Sequence, residues 1–312
     1  MSPQRIIFAT NVSRFSGAGH IRRLIEVSKA LPTSIEKHFF GSIEIDWVKE
    51  MADRTFLPLD SLSNFGQDDL VILDSYEEEF SLIVHSEFSD SRVIQIADRY
   101  TFILPDAAVI YMDLPFSYQD SKMESRVIAH GIEYLPKRSY SRQGTTFTDK
   151  AKSVLVTTGG SVNEHIYSQL VEELTKDKYE KVSFEFIGCY ASVNSHHSNL
   201  NFHNFGSGFD SVARDCDTAI SAAGTTMWDL FANRKLVGLA ATVENQRANF
   251  DYATRTGQAV EVFDSKTLKL DVEALQSLFF DSNVRQSLYG AISGKYDFDG
   301  AKRVSELILY DF

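Results

Sequence analysis

Short runs of consecutive apolar residues alternate with stretches in which apolar residues return every three or four positions, almost from end to end of the chain. The continuous runs predict strands over residues 5–9, 37–40, 70–73, 92–96 and 108–112, then 153–157, 183–187, 218–221, 236–240 and 259–262. The periodic stretches predict helices over 21–31, 43–51 and 77–85, then 164–174, 210–216, 226–232, 248–255, 272–280 and a last one over 301–309. A strand that is apolar at every position has both faces covered, as in a parallel sheet lined by helices on both sides. The pattern breaks at Ser139-Tyr140-Ser141-Arg142-Gln143-Gly144-Thr145-Thr146, a polar stretch with the character of a linker. The expected fold class is α/β, with two doubly wound domains over residues 1–140 and 151–300, and with 301–312 as a C-terminal helix able to cross back onto the first. Parallel sheets bind ligands at the carboxyl ends of their strands, so two facing domains would share one inter-domain cleft.

The most informative loop is Gly17-Ala18-Gly19-His20-Ile21-Arg22-Arg23, between the first strand and the first helix. Strand, glycine loop and helix together aim free backbone N–H groups and a positive helix end at one point in space. A histidine in such a turn is favoured as the neutral base near pH 7. A glycine turn with a capping-region histidine of no chemical use fits the same residues. Two further loops sit in the second half. Val154-Leu155-Val156-Thr157-Thr158-Gly159-Gly160-Ser161 is a strand running into a glycine turn, and Ala219-Ile220-Ser221-Ala222-Ala223-Gly224-Thr225-Thr226-Met227-Trp228-Asp229 repeats the design. Small residues admit a diphosphate, and Thr225, Thr226 and the helix start can donate to it. Asp229, one turn on, suits the ribose hydroxyls of a nucleotide or, more simply, complements the helix dipole. Asn245-Gln246, after the strand at 236–240, is an amide pair suited to neutral hydroxyl or amide groups, as on a sugar.

Composition narrows the class. Hydrophobic residues make up 43% and charged residues 24% of 312, as in an ordinary globular enzyme. A formal net charge of −12 argues against nucleic acid and anionic lipid as partners. Cys189 and Cys216 lack metal or redox spacing and read as reduced thiols, and His196, His197 and His203 read as surface residues. No lysine follows the glycines in the Walker pattern, and neither second-half loop has GxGxxG spacing, which counts against an ATPase and a dinucleotide site. No DxD motif is present to hold Mg²⁺ or Mn²⁺, so neither metal nor cofactor is expected. Met1-Ser2-Pro3-Gln4-Arg5 leads straight into a strand and no apolar run approaches a membrane span, so a cytoplasmic protein is expected.

Taken in order, these motifs resemble the UDP-sugar hydrolases of pseudaminic acid biosynthesis, a family similar to the N-acetylglucosaminyltransferase that completes lipid II. Gly17, Gly19, His20 and Arg23 match the family's glycine–any–glycine–histidine–any–any–arginine motif; Asp74 and Tyr76 match its aspartate–any–tyrosine. Gly131-Ile132-Glu133-Tyr134-Leu135 with Arg138, the turn Gly159-Gly160-Ser161, the loop Ser221, Ala222 and Gly224 with Asp229, and Asn245-Gln246 complete the likeness. The chain departs from the pattern at Val162, where the family has an aspartate, at Ala97-Asp98, where it has paired aspartates, and at Met112 or Asp113, where it has asparagine. Asp229 stands for its glutamate.

The resemblance implies the GT-B fold, two facing Rossmann-like domains, and a nucleotide-sugar hydrolase of bacterial surface-glycan precursor biosynthesis. His20 would be the general base on a water attacking the anomeric carbon with inversion, Asp74 and Tyr76 would position it, and Asp98 would orient water or an acceptor. The substrate, a UDP-sugar, would lie on Gly17, Gly19, Arg23, Gly159, Gly160, Ser161, Ser221, Ala222, Gly224, Thr225, Thr226, Asp229, Asn245 and Gln246. An inverting glycosyltransferase using a carbohydrate acceptor, and a non-catalytic nucleotide-sugar binding protein, are the alternatives.

Overall fold

The computed structural model describes residues 3–13, 18–52, 56–57, 66–116, 126–140, 146–160, 162–188, 197–206 and 208–310. The chain forms two compact units, Met1–Pro136 with Phe298–Phe312, and Lys137–Asp297. In the first, strands β1 (Arg5–Ala9), β2 (Glu36–Phe40), β3 (Phe56–Leu57), β4 (Leu70–Leu73), β5 (Arg92–Ala97), β6 (Ala108–Tyr111) and β7 (Val127–His130) form one sheet ordered β3-β2-β1-β4-β5-β6-β7. Every pairing is parallel. Ile6, Ile7, Phe8 and Ala9 of β1 and all four residues of β4 are fully buried, as continuous apolar runs require of central strands. Helices α1 (Gly19–Ala30), α2 (Asp46–Ala52) and α3 (Glu78–Glu87) make the crossovers. Helix α1 buries Ile21, Leu24, Ile25 and Val27 on one stripe, and Pro32 follows its end.

The second sheet contains β8 (Ser153–Thr157), β9 (Ser183–Ile187), β10 (Leu200–His203), β11 (Thr218–Ala222), β12 (Leu236–Ala240) and β13 (Ala259–Glu261), ordered β10-β9-β8-β11-β12-β13 and again all parallel. Its helices are α4 (Glu164–Leu174), α5 (Phe209–Asp215), α6 (Thr225–Ala232), α7 (Arg247–Arg255), α8 (Val272–Phe280) and α9 (Ser282–Ile292). The last helix, α10 (Gly300–Tyr310), packs on α1 in the first unit: Val304 and Ile308 are fully buried, and the Ser305 hydroxyl donates to the Ala30 carbonyl at 3.2 Å. Gly300 is required there, because a Cβ would stand 2.3 Å from the Leu135 carbonyl oxygen.

In both sheets the chain winds outward from one strand and then restarts on its other side. The loops leaving β1 and β4, and those leaving β8 and β11, therefore diverge and open a crevice at the carboxyl ends. Three local differences from the sequence pattern have physical causes. The helix expected from residue 43 starts at Asp46 because Ile43 pairs with Val12 in extension of the sheet. Helix α9 is hidden in the sequence because it follows α8 without a loop; Asp281 ends one and caps the other, accepting from the N–H groups of Asn283 at 2.9 Å and Val284 at 3.2 Å. The unit boundary falls ahead of the polar linker stretch because Tyr140 N–H already donates to Asn233 Oδ1 of the second unit at 2.8 Å.

Candidate functional site

The crevice of the first unit gathers side chains from three strand ends. Gly17 lies outside the described residues; Gly19 opens α1 and His20 is its second residue. Asp74 and Tyr76 follow β4, and Asp98 follows β5. His20 Nδ1 lies 2.5 Å from Asp74 Oδ1, with the two side chains 4% and 1% exposed. Arg23, one turn along α1, grips the same carboxylate through Nε to Oδ2 at 2.8 Å and Nη2 to Oδ1 at 2.7 Å. Burial alone would raise the Asp74 carboxyl, but Arg23 and His20 beside it bring it down to about 2. An ionised carboxylate only accepts, so in the neutral imidazole Nδ1 carries the proton and Nε2 keeps the lone pair. The 2.9 Å approach of Arg23 Nη2 to Nδ1 is then two donors meeting on one oxygen. Nε2 bonds to no described residue.

Tyr76 sets its ring edge-on to the imidazole, centroids 4.4 Å apart, and its hydroxyl donates to Asp98 Oδ2. Burial and then the Asp98 charge push the phenol well above its usual range, so it stays a donor. Asp98 Oδ1 accepts from Tyr100 N–H at 2.9 Å and from the Thr101 hydroxyl at 3.2 Å. Asp98 thus fixes Tyr76 and the turn 98–101. His20, Arg23, Asp74, Tyr76 and Asp98 form one connected network. Sequence reasoning missed its neighbours Asn11 and Glu77: Asn11 Nδ2 donates to Glu77 Oε2 at 3.0 Å, and Asn11 Oδ1 accepts from Ser42 N–H at 2.9 Å, joining the loops after β1, β2 and β4. Their signal was position alone, polar residues just past strand ends.

The segment Gly131–Arg138 does not enter this network. Gly131, at φ +149°, turns the chain where a Cβ would collide with the Glu133 carboxylate, and Arg303 Nη1 of α10 donates to the Glu133 carbonyl at 2.9 Å. The turn therefore seats the terminal helix.

In the second unit, Gly159 takes φ +91° and donates its N–H to Thr157 Oγ1 at 3.2 Å; Gly160 is exposed and Ser161 lies outside the described residues. Val162 follows, and Asn163 caps α4 through Ile166 N–H at 3.2 Å. At the neighbouring strand end, Gly224 precedes α6, and Thr225 and Thr226 are half-buried. Their N–H groups belong to the helix's first turn, which has no intrahelical acceptor, and they bond to no described residue. The Gln246 amide is oriented by Oε1, which accepts from Thr242 N–H and its hydroxyl, both at 3.0 Å. That turns Nε2 toward the glycine loop, 3.8 Å from where a Gly224 Cβ would stand. Ser221 and Ala222 are buried beneath the loop, the Ser221 hydroxyl donating to the Ala222 carbonyl at 2.9 Å, and Asn245 is exposed. The structure brings Gly224, Thr225, Thr226 and Gln246 together, with Gly159 and Gly160 after the adjacent strand β8, while Ser221, Ala222 and Asp229 are buried.

Asp229 departs most from its expected ribose contact. It is fully buried, and its oxygens accept from Arg138 N–H at 2.9 Å and Arg138 Nε at 3.3 Å. The same guanidinium lies 4.5 Å over the Phe209 ring and bonds Asp210 at 2.9 Å. Asn233 continues the clasp, donating to the Arg138 carbonyl at 2.7 Å. A ribose could reach Asp229 only by breaking these bonds. Asp229→Ala removes the acceptor of the Arg138 N–H and Nε and leaves the guanidinium to Asp210 alone, and is expected to cost the second unit about 1–3 kcal/mol, read as a fall in its thermal unfolding temperature. An unchanged unfolding temperature, with UDP affinity lost instead, would return Asp229 to the ribose.

Among the remaining titratable groups, Cys216 is buried and its thiol is pushed up to about 12 by burial, an inert state; Cys189 and His196 lie outside the described residues. His197 is exposed, and His203 bonds Glu185 at 2.7 Å across β9 and β10. Among the described residues no group of three histidine, cysteine or acidic side chains could hold a metal, and no helix is long and apolar enough to cross a membrane.

No known protein family and no curated protein matches the sequence. Solved structures do match in fold. The chain is similar to a glycosyltransferase of kitacinnamycin, 13% identical with a TM-score of 0.64 over 98% of both chains. It is similar to the UDP-GlcNAc 2-epimerase from Neisseria meningitidis bound to UDP-GlcNAc, 13% identical with a TM-score of 0.63 over 98% of this chain and 99% of that one. A spinosyn rhamnosyltransferase matches at 12% identity and a TM-score of 0.62 over 97% and 99%. The fold is GT-B, built from two Rossmann-like units.

Proposed function

We propose that this protein cleaves a nucleotide sugar, a UDP-sugar in the first instance, at its anomeric carbon with inversion, and that water is the nucleophile. The observation that carries the reading is the buried His20–Asp74 pair, which leaves Nε2 as a base of fixed orientation. Nε2 takes one proton of the attacking water, whose oxygen forms the new bond to the anomeric carbon. The bond from that carbon to the diphosphate oxygen breaks, and its electron pair leaves with the nucleoside diphosphate. Asp74 stabilises the imidazolium that results. The second unit holds the nucleotide: the free N–H groups of Thr225 and Thr226, the positive end of α6 and the Gln246 amide suit a diphosphate and its growing charge.

Glycosyl transfer by the same residues is the second reading, favoured by the fold shared with the kitacinnamycin glycosyltransferase and the spinosyn rhamnosyltransferase. There His20 takes the proton of an acceptor hydroxyl. Product analysis on a panel of UDP- and dTDP-sugars separates the two. Free sugar of opposite anomeric configuration plus nucleoside diphosphate supports hydrolysis; release only when a carbohydrate acceptor is added supports transfer. Binding without turnover in either assay leaves a binding protein and ends the catalytic reading. Turnover is also expected to persist in EDTA, since the helix start supplies the positive end that a cation would otherwise provide. A loss that Mg²⁺ or Mn²⁺ restores would overturn this.

A further inference from the structure

One charged pair beside the His20 network has no part in the chemistry above. Arg99 follows Asp98 at the end of β5, and Asp113 lies just beyond β6, the adjacent strand. Asp113 Oδ2 accepts from Arg99 Nε at 2.8 Å and from its backbone N–H at 3.3 Å, while Oδ1 takes Leu114 N–H at 2.6 Å. Arg99 Nη2 donates to the Leu114 carbonyl at 3.0 Å, and the guanidinium lies 5.1 Å from the centre of the Phe116 ring. One edge and one face of the guanidinium are thus fixed. Nη1 donates to no described residue, and the side chain is 26% exposed against 8% for Asp113. Among the described residues this leaves a donor edge open at the carboxyl end of the sheet, which a residue serving only to staple two loops does not need. Direct contacts also link it to the base: Asp98, its chain neighbour, holds Tyr76, and Tyr76 meets the His20 ring.

We infer that Arg99 is a specificity-determining residue, presenting Nη1 to a neutral oxygen, a hydroxyl or a carbonyl, on the sugar of the substrate. The assignment rests on the nucleotide-sugar reading. The class of group follows from charge: Asp113 already pairs with this guanidinium at 2.8 Å, so a carboxylate or phosphate would have to compete with a carboxylate in place. A neutral acceptor meets a strong, pre-oriented donor without bringing another negative charge. Stacking on Phe116 keeps the planar group in place before substrate arrives.

Calorimetric titration of the whole chain with UDP, UDP-N-acetylglucosamine and UDP-glucuronic acid tests this in Arg99→Met and Arg99→Lys. Arg99→Lys keeps a cation and guards against a variant that fails to fold, but an ammonium cannot hold Asp113 and Leu114 while offering a third edge. Both variants are expected to bind UDP as the unaltered chain does and to lose about tenfold in affinity for UDP-N-acetylglucosamine. Equal weakening of UDP and UDP-sugar, no change for any ligand, or a loss confined to UDP-glucuronic acid overturns the assignment. So does an unaltered chain that binds the sugar nucleotide no better than UDP. If the unaltered chain binds no nucleotide at all, the functional reading itself falls, an outcome distinct from the failure of Arg99 alone.

Discussion

His20→Asn is expected to lower turnover of the nucleotide sugar by about 10²–10⁴-fold while leaving UDP affinity unchanged. Asparagine keeps a hydrogen-bonding group against Asp74 but cannot take a proton from the nucleophile. The size of the loss follows from what the pair does: a buried carboxylate fixes one tautomer and leaves the Nε2 lone pair to act as the base. The diphosphate contacts proposed on α6 lie in the second unit and do not involve His20. A variant that loses turnover and UDP affinity together would show that the loop is structural. Full activity in His20→Asn would remove the base from the mechanism.

The fold was readable because its strands are buried on both faces and so write themselves as unbroken apolar runs; Ile6–Ala9 and Leu70–Leu73 need no partner to be recognised. Edge elements were harder. Strand β10 reads Leu-Asn-Phe-His, half polar because one side of it lies at the sheet's rim, and β3 is two residues long. The His20 loop was legible because glycines mark a strand-to-helix turn whatever its use. Positions in the chain could not show which carboxylates are free. Asp229 has the right spacing for a ribose, yet Arg138, 91 residues earlier in sequence, covers it. Asp98 follows its strand as a catalytic carboxylate should, yet Tyr76, Tyr100 and Thr101 occupy it. Such pairings are decided by tertiary packing, and periodicity carries no trace of them. Arg99 carries no signal in the sequence for the same reason, since only the folded chain sets it against Asp113.

Asp74→Asn is expected to lower turnover by about 10⁴-fold and, separately, to destabilise the first unit. An asparagine amide can turn its NH₂ toward His20 Nδ1, which selects the tautomer whose Nε2 carries the proton and cannot act as base. It also leaves Arg23, whose side chain is 5% exposed, facing a neutral group. The stability term has a pH signature. Asp74 has its carboxyl lowered from 3.8 to about 2 in the folded chain, so its ionic contribution is fully present above the unfolded value and is lost as pH falls through the folded one. The linkage corresponds to about 2–3 kcal/mol at neutral pH. The gap in unfolding free energy between the unaltered chain and Asp74→Asn should therefore hold steady from pH 7 to about pH 5 and shrink steadily toward pH 2. Urea melts across that range read it directly. A gap that does not change with pH would mean that the cost comes from packing and not from the carboxylate charge. A variant as stable and as active as the unaltered chain would show that Asp74 neither anchors Arg23 nor orients the base.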